Sequence, residues 1–243
     1  MLFRSGGSAI GLIPVASPSA QKILTQYFQG FFREEAARFP NRIPPSAEKA
    51  IARVNELRGT GATHLIALYH ESGDDSEYVR LTAIGSFGAD TLARLESAGL
   101  GRRGQEGSFD LLAFKDAQEV ALNSGLPALP IARISQMAAQ LARDSDCSVE
   151  ITPLNRKDAS EAFQEALQEA FAEEGQPAEK AVVPARARQL AGTFPQLSRL
   201  GASHVLVIAF QTPKGADVVL VIAKGAFTPE IQAKAKEIGR AHV

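Results

Sequence analysis

Residues 61–97 read GATHLIALYHESGDDSEYVRLTAIGSFGADTLARLES, and residues 201–237 read GASHVLVIAFQTPKGADVVLVIAKGAFTPEIQAKAKE. At an offset of 140 the two stretches align without a gap. They agree at Gly61/Gly201, Ala62/Ala202, His64/His204, Val79/Val219, Ala83/Ala223, Gly85/Gly225, Phe87/Phe227 and Ala93/Ala233. The agreement gathers at a Gly-Ala-x-His opening and a Gly-x-Phe exit. Self-similarity at a fixed spacing marks a supersecondary unit used more than once. The same offset runs back through Leu57/Leu197, Pro44/Pro184 and Phe31/Phe171 to Ser8/Ser148. Two modules are therefore expected, over residues 6–144 and 147–237.

Periodicity supplies the elements of one module. Ser8 to Val15 is a short apolar run and predicts a strand. Ile23, Leu24, Tyr27, Phe28 and Phe31 stand at helical spacing within residues 19–37. Pro44, Pro45 and Ser46 open a second helix that runs through Leu57. His64–His70 and Tyr78–Phe87 predict a hairpin across Gly73, Asp74 and Asp75. A helix over 89–98 follows, then strands Ser108–Phe114 and Glu119–Ser124 joined through Lys115, Asp116 and Ala117, and a last helix over about 131–142. The class predicted is α+β: two tandem α/β sandwich modules with mainly antiparallel sheets and helices on one face of each. Nothing in the second copy corresponds to residues 99–143. It is expected to be truncated, with a strand of Asp217–Ala223 or its neighbour left as an unpaired edge.

Both ends read differently from the rest. Met1–Ser5 (MLFRS) and Ile238–Val243 (IGRAHV) resemble translations of a sequencing adapter in its two orientations, so the native segment is expected to be Gly6–Glu237. On that expectation any secretory signal lies upstream.

Composition narrows the function. In 243 residues, 26 Lys and Arg meet 27 Asp and Glu, a net charge of -1 that offers no overall attraction to nucleic acid or an anionic membrane. Aromatic residues make up 7% with no Trp, so a base-stacking platform lacks its main ingredient. The single Cys147 excludes an internal disulfide, and no apolar run reaches the length of a membrane span.

Gly99-Leu100-Gly101-Arg102-Arg103-Gly104 is a literal G-x-G-x-x-G. A dinucleotide fingerprint needs a strand entering the glycines and a helix leaving them, and here the order is reversed. Gly99 therefore reads as a helix C-cap and the rest as a solvated turn. His64 and His204 recur at equivalent places without a Cys, His or carboxylate at ligand spacing. His64 and His70, six residues apart on a strand, are about 20 Å apart and cannot share a metal ion. No G-x-S-x-G elbow is present, and Cys147, opening a strand, reads as an unreactive thiol. The Gly73–Glu77 turn holds three acids but its counterpart 213–217 only one, which favours a polar turn over a calcium site. Lys180, Arg186 and Arg188 lie close to Glu173, Glu174 and Glu179. Residues 161–174 form an amphipathic core helix. No catalytic residue, metal ligand or cofactor is assigned. The residues left for ligand binding are His64, His204, Arg102 and Arg103.

The succession of strand, polar turn, strand ending in Gly-x-Phe (Gly85, Phe87), helix with Leu92 and Leu95, then strand, turn and strand resembles the modules of uncharacterised bacterial envelope proteins that carry such units in tandem. The resemblance spans most of residues 7–143 and the first two thirds of the second copy. It implies an exported, periplasmic or secreted protein and transfers no catalytic residue. The function expected is non-catalytic binding or scaffolding at the bacterial cell envelope, with a protein partner at the open sheet edge. The rival is a hydrolase-like enzyme whose site lies between the modules or in the missing C-terminal part. A pocket lined by His64, Arg102 and Arg103 would favour that rival.

Overall fold

The computed structural model describes residues 8–32, 43–71, 77–104, 107–115, 118–119, 121–122, 132–133, 136, 147–155, 157–172, 182–192, 194–212, 217–229 and 231. The expected helix over 131–142, the turns 73–76 and 213–216, the link through 116–117, the charged stretch 173–181 and both adapter-like ends lie wholly or mostly outside these residues. The class is α+β, helices with mainly antiparallel sheet. By internal contacts the chain divides into two units, Met1–Glu150 with Ile208–Val218, and Ile151–Val207 with Val219–Val243.

In the first unit the strands are β1 (Ser8–Pro14), β2 (Ala62–Glu71), β3 (Glu77–Gly85), β4 (Arg102–Arg103), β5 (Ser108–Lys115) and β6 (Gln118–Glu119). They lie in the order β4-β5-β3-β2-β1, with β6 also on β5, and every pair is antiparallel. Helix α1 (Ala20–Phe31) sets Leu24, Tyr27, Phe28 and Phe31 in one buried stripe. Helix α2 (Pro45–Ala52) begins on a proline whose fixed φ suits a first helical turn. The expected run to Leu57 tightens into a 3-10 turn, Val54–Leu57, which buries Val54 and Leu57. Helix α3 (Ala89–Ser97) joins β3 to β4.

Strand alternation divides the sheet between two faces. Ala9 and Ile13 of β1, Leu65, Ala67 and Tyr69 of β2, and Val79, Leu81 and Ala83 of β3 form one core with α1 and α2. Gly11 lies in this row because a Cβ there would come within 2.7 Å of the Tyr27 ring. On the other side Ile10, Leu12, Ile66, Leu68 and Ile84 are all buried as well. The physical signature is the unbroken apolar run of β1, which alternation on a half-wet sheet would have interrupted.

The two repeated glycine motifs meet. Gly61 enters β2 with φ +96°, and a Cβ on Gly85, at the end of β3, would sit 2.1 Å from the Gly61 carbonyl oxygen. The Ser86 N–H donates to that same carbonyl at 2.9 Å, and Thr63 Oγ1 donates to the Ile84 carbonyl at 3.2 Å. Two backbones cross here at a distance that leaves no room for a side chain.

The strands β7 (Cys147–Pro153), β8 (Ala202–Gln211) and β9 (Asp217–Gly225) stand in the order β7-β8-β9, and the second unit holds residues 151–153, 202–207 and 219–225 of them. The helices are α4 (Ala159–Ala170), α5 (Ala185–Gly192) and α6 (Phe194–Arg199). Phe163, Ala166 and Leu167 of α4 pack with Phe194, Val205 and Val207, and the Phe163 and Phe194 rings stack 5.2 Å apart. The glycine crossing is present here too. A Cβ on Gly225 would lie 2.1 Å from the Gly201 carbonyl oxygen, and Ala226 N–H donates to it at 3.1 Å. Ser203 Oγ donates to the Lys224 carbonyl as Thr63 does to that of Ile84.

One alignment detail is corrected. Helices α2 and α5 start 140 residues apart, but α1 starts at Ala20 and α4 at Ala159, and β1 ends at Pro14 and β7 at Pro153, so the offset there is 139. Phe171, the residue closing α4, corresponds to Phe32 rather than Phe31. A one-residue difference in spacing therefore falls between the first and second helices.

Candidate functional site

The tightest polar cluster described lies on the second face of the first unit's sheet, and none of its members was singled out by motif. In the β3–β5 pairing Thr82 stands opposite Asp110, one alternation from Arg80. The Asp110 carboxylate has no solvent exposure and accepts from the Arg80 guanidinium through both oxygens, while Thr82 Oγ1 donates to Oδ1 at 2.8 Å. Arg80 is only 13% exposed. Arg and Asp in this fork arrangement match each other's donors and acceptors, which is what permits a charge to be buried. A single acid in SFDLLAF and a single base in YVRLTA, on two predicted strands, was the available signal.

The glycines of the G-x-G-x-x-G serve this cluster and its surroundings. Gly99, at φ +65°, ends α3 as expected, with Gly99 N–H on the Glu96 carbonyl and Leu100 N–H on that of Leu95. Leu95 and Leu100 both bury their side chains in the core. The residues after it are not a solvated turn. Arg102 and Arg103 form β4 on the edge of β5, because a bare Gly101 can approach the Asp110 backbone and a bare Gly104 lies over the Asp110 carboxylate.

The residues proposed for ligand binding separate. Arg102 and Arg103, being neighbours on a strand, project to opposite faces. Arg103 turns to α3, where its Nε and backbone N–H donate to Glu96 and Nη2 to the Ala89 carbonyl. Arg102 is exposed, its Nη1 3.5 Å from the Leu122 carbonyl oxygen. His64, 8% exposed, stands between Pro14 of β1 and Ile84 of β3. Strands β3 and β5 intervene between it and β4, three strand spacings or roughly 14 Å. In the second unit, His204 is half-buried with Nδ1 3.0 Å from Ser203 Oγ. Cys147 is buried at 1% exposure. His70 Nδ1 lies 2.7 Å from Ser8 Oγ, and burial holds this imidazole below its ordinary pKa.

Among the described residues no group of three His, Cys, Asp or Glu side chains is placed to hold a metal ion, and no helix is long and apolar enough to cross a membrane. A cavity of about 430 Å³ between α4 and α5 is lined by Gln164, Leu167, Gln168, Val183, Arg188 and Ala191.

The other distinctive surface is β9, the last strand of its order. Val219 and Val221 pack on the unit's core, so Leu220 and Ile222 point to the other face, where they are 37% and 44% exposed. At the offset of 140 these are the positions of Arg80 and Thr82. Where β3 presents a cation and a hydroxyl and is covered by β5 with its carboxylate, β9 presents two aliphatic side chains, and among the described residues no strand lies beyond it. Compared with protein-family models, curated proteins and solved structures, the chain matches none.

Proposed function

We propose that the chain is a non-catalytic binding or scaffolding protein of the bacterial cell envelope, built from two copies of one α+β module, and that it binds protein along the β9 edge of the second copy. The observation that supports this reading is the contrast between β3, paired by β5, and β9, where Leu220 and Ile222 are exposed and no strand lies beyond among the described residues. An edge kept clear of other chains ordinarily carries lysines, prolines or bulges. The core of β9, VVLVIA, carries neither lysine nor proline, and its one lysine, Lys224, stands near its end. An apolar edge of this kind accepts an extended peptide through main-chain hydrogen bonds, with alternate side chains setting the preference. The envelope destination is supported by the resemblance of the element succession to tandem envelope modules.

A labelled peptide with the β5 sequence SFDLLAFK, in which leucine replaces the residue matching Asp110, tests the reading by fluorescence anisotropy. Saturable binding is expected, weakened at least about tenfold by Ile222→Lys, because a lysine would lose water against an apolar partner. The unaltered peptide should bind more weakly than its leucine form, since β9 has no counterpart of Arg80 to meet the carboxylate. Absence of binding, or binding indifferent to Ile222→Lys, overturns the proposal.

A further inference from the structure

We infer that the cavity between α4 and α5 binds a small aliphatic monocarboxylate, with its chain against Leu167, Val183 and Ala191 and its carboxylate on Arg188. The inference stands apart from β9 and does not depend on the reading of that strand.

The two copies of the module fill this space differently. In the first copy α1 turns Tyr27, Phe28 and Phe31 into the core, and Ile43 and Ile51 join them there. At the offset of 139 the three aromatic positions are Ala166, Leu167 and Ala170 on α4, and at the offset of 140 the two isoleucines are Val183 and Ala191. Each of the five exchanges removes side-chain volume. Two run the other way, Leu24 to Phe163 and Val54 to Phe194, but those rings stack on each other 5.2 Å apart and do not line the cavity. The volume is thus not returned where it is lost, and about 430 Å³ stays open inside the second unit. That is the size of a small-molecule site. An unfilled apolar space of this kind lowers stability, which a fitting ligand restores.

The rim supplies the polar contacts. Gln164 and Gln168, one helical turn apart on α4, and Arg188 on α5 are exposed or half-exposed. Arg188 is the only charged residue among the described residues that line the cavity, and it stands where the filled copy has Glu48. The emptied interior and the reversed charge at its mouth therefore occur in the same copy. A guanidinium pairs with a carboxylate through two parallel hydrogen bonds, and the amide groups of the glutamines can donate to the same oxygens. Leu167, Val183 and Ala191 offer nothing to a sugar or a second charged group, which would lose water against them without replacement. An aliphatic chain ending in one carboxylate satisfies both halves.

Octanoate, octylammonium and 1-octanol share a chain and differ in head group. Each is titrated into the full chain and followed by amide NMR shifts. Octanoate should bind saturably, with shifts gathered at residues 164–168 and 188–191, and octylammonium at least about tenfold more weakly. Arg188→Glu installs the first copy's acid at an exposed position. It should weaken octanoate at least about tenfold, leave 1-octanol within about twofold, and improve octylammonium. Ala191→Ile installs the first copy's isoleucine and should abolish binding of all three without lowering Tm, because it fills the space the ligand would take. Octanoate binding unchanged in Arg188→Glu, octylammonium binding as tightly as octanoate, shifts centred elsewhere, or no saturable binding overturns the inference. Should Ala191→Ile fail to fold, the head-group series and Arg188→Glu still decide it.

Discussion

Replacing Asp110 with alanine removes the carboxylate on which Arg80 and Thr82 converge and leaves both without it in a buried row of the sheet. Breaking a buried ion pair from one side costs about 3–5 kcal/mol, because the remaining charge stays desolvated. Arg80 retains 13% exposure and can recover part of its hydration, so the lower end, about 3 kcal/mol, is the expected loss. For a chain of this length that is a fall in Tm of about 6–12 °C. The informative comparison is a triple variant, Arg80→Met with Thr82→Val and Asp110→Leu, which replaces the cluster with aliphatic side chains as β9 does at Leu220 and Ile222. It should return to within about 1.5 kcal/mol of the parent, since a well-packed apolar replacement needs no desolvation of charge. Urea denaturation followed by far-UV circular dichroism measures both, and amide exchange at Leu81 and Leu112 assigns the change to the first unit. A loss under about 1 kcal/mol for Asp110→Ala, the scale of a surface pair, would refute the claim that the cluster is buried and interdependent. A triple variant no better than the single one would refute the claim that its role is structural compensation.

Two other outcomes are expected. Gly85→Ala should prevent normal folding, seen as loss of the native exchange-protected amides, because its Cβ would meet a backbone oxygen at 2.1 Å; Gly99→Ala, with open space around it, should cost only about 1–2 kcal/mol for its left-handed φ. For His70, a folded pKa below the unfolded value means that the unfolded chain binds the extra proton, so stability is full above about pH 6.5 and declines as pH falls through the folded value; NMR titration should place His70 below that value, and His70→Gln should flatten the decline.

Much of the local structure was legible because local rules decide it. The β2–β3 hairpin, the start of α2 at a proline, the capping of α3 by Gly99 and strand β5 follow from turn residues and periodicity within a few positions. What escaped depended on partners distant in sequence. Arg102 and Arg103 look like a charged turn until β5 arrives beside them. Asp110 looks like one more surface acid in SFDLLAF until Arg80 and Thr82, roughly thirty residues earlier, are laid on the neighbouring strand. The Gly-x-Phe repeat was visible as a pattern, but its reason lay in Gly61 and Gly201, the other half of each crossing. For the same cause His64, Arg102 and Arg103 could be proposed together from composition, although topology holds them apart.

The glycine crossing has a consequence for how the hairpins find their alignment. Two long strands of alternating apolar residues can slide by two positions and still present the same faces, so pattern alone distinguishes such alternatives poorly. In each unit only the native alignment brings the bare Cα of Gly85 or Gly225 against the chain at Gly61 or Gly201; a slipped hairpin would place a residue with a side chain into a space that admits none. The crossing thus works as a key cut into both strands of each hairpin, rejecting misaligned pairings by collision.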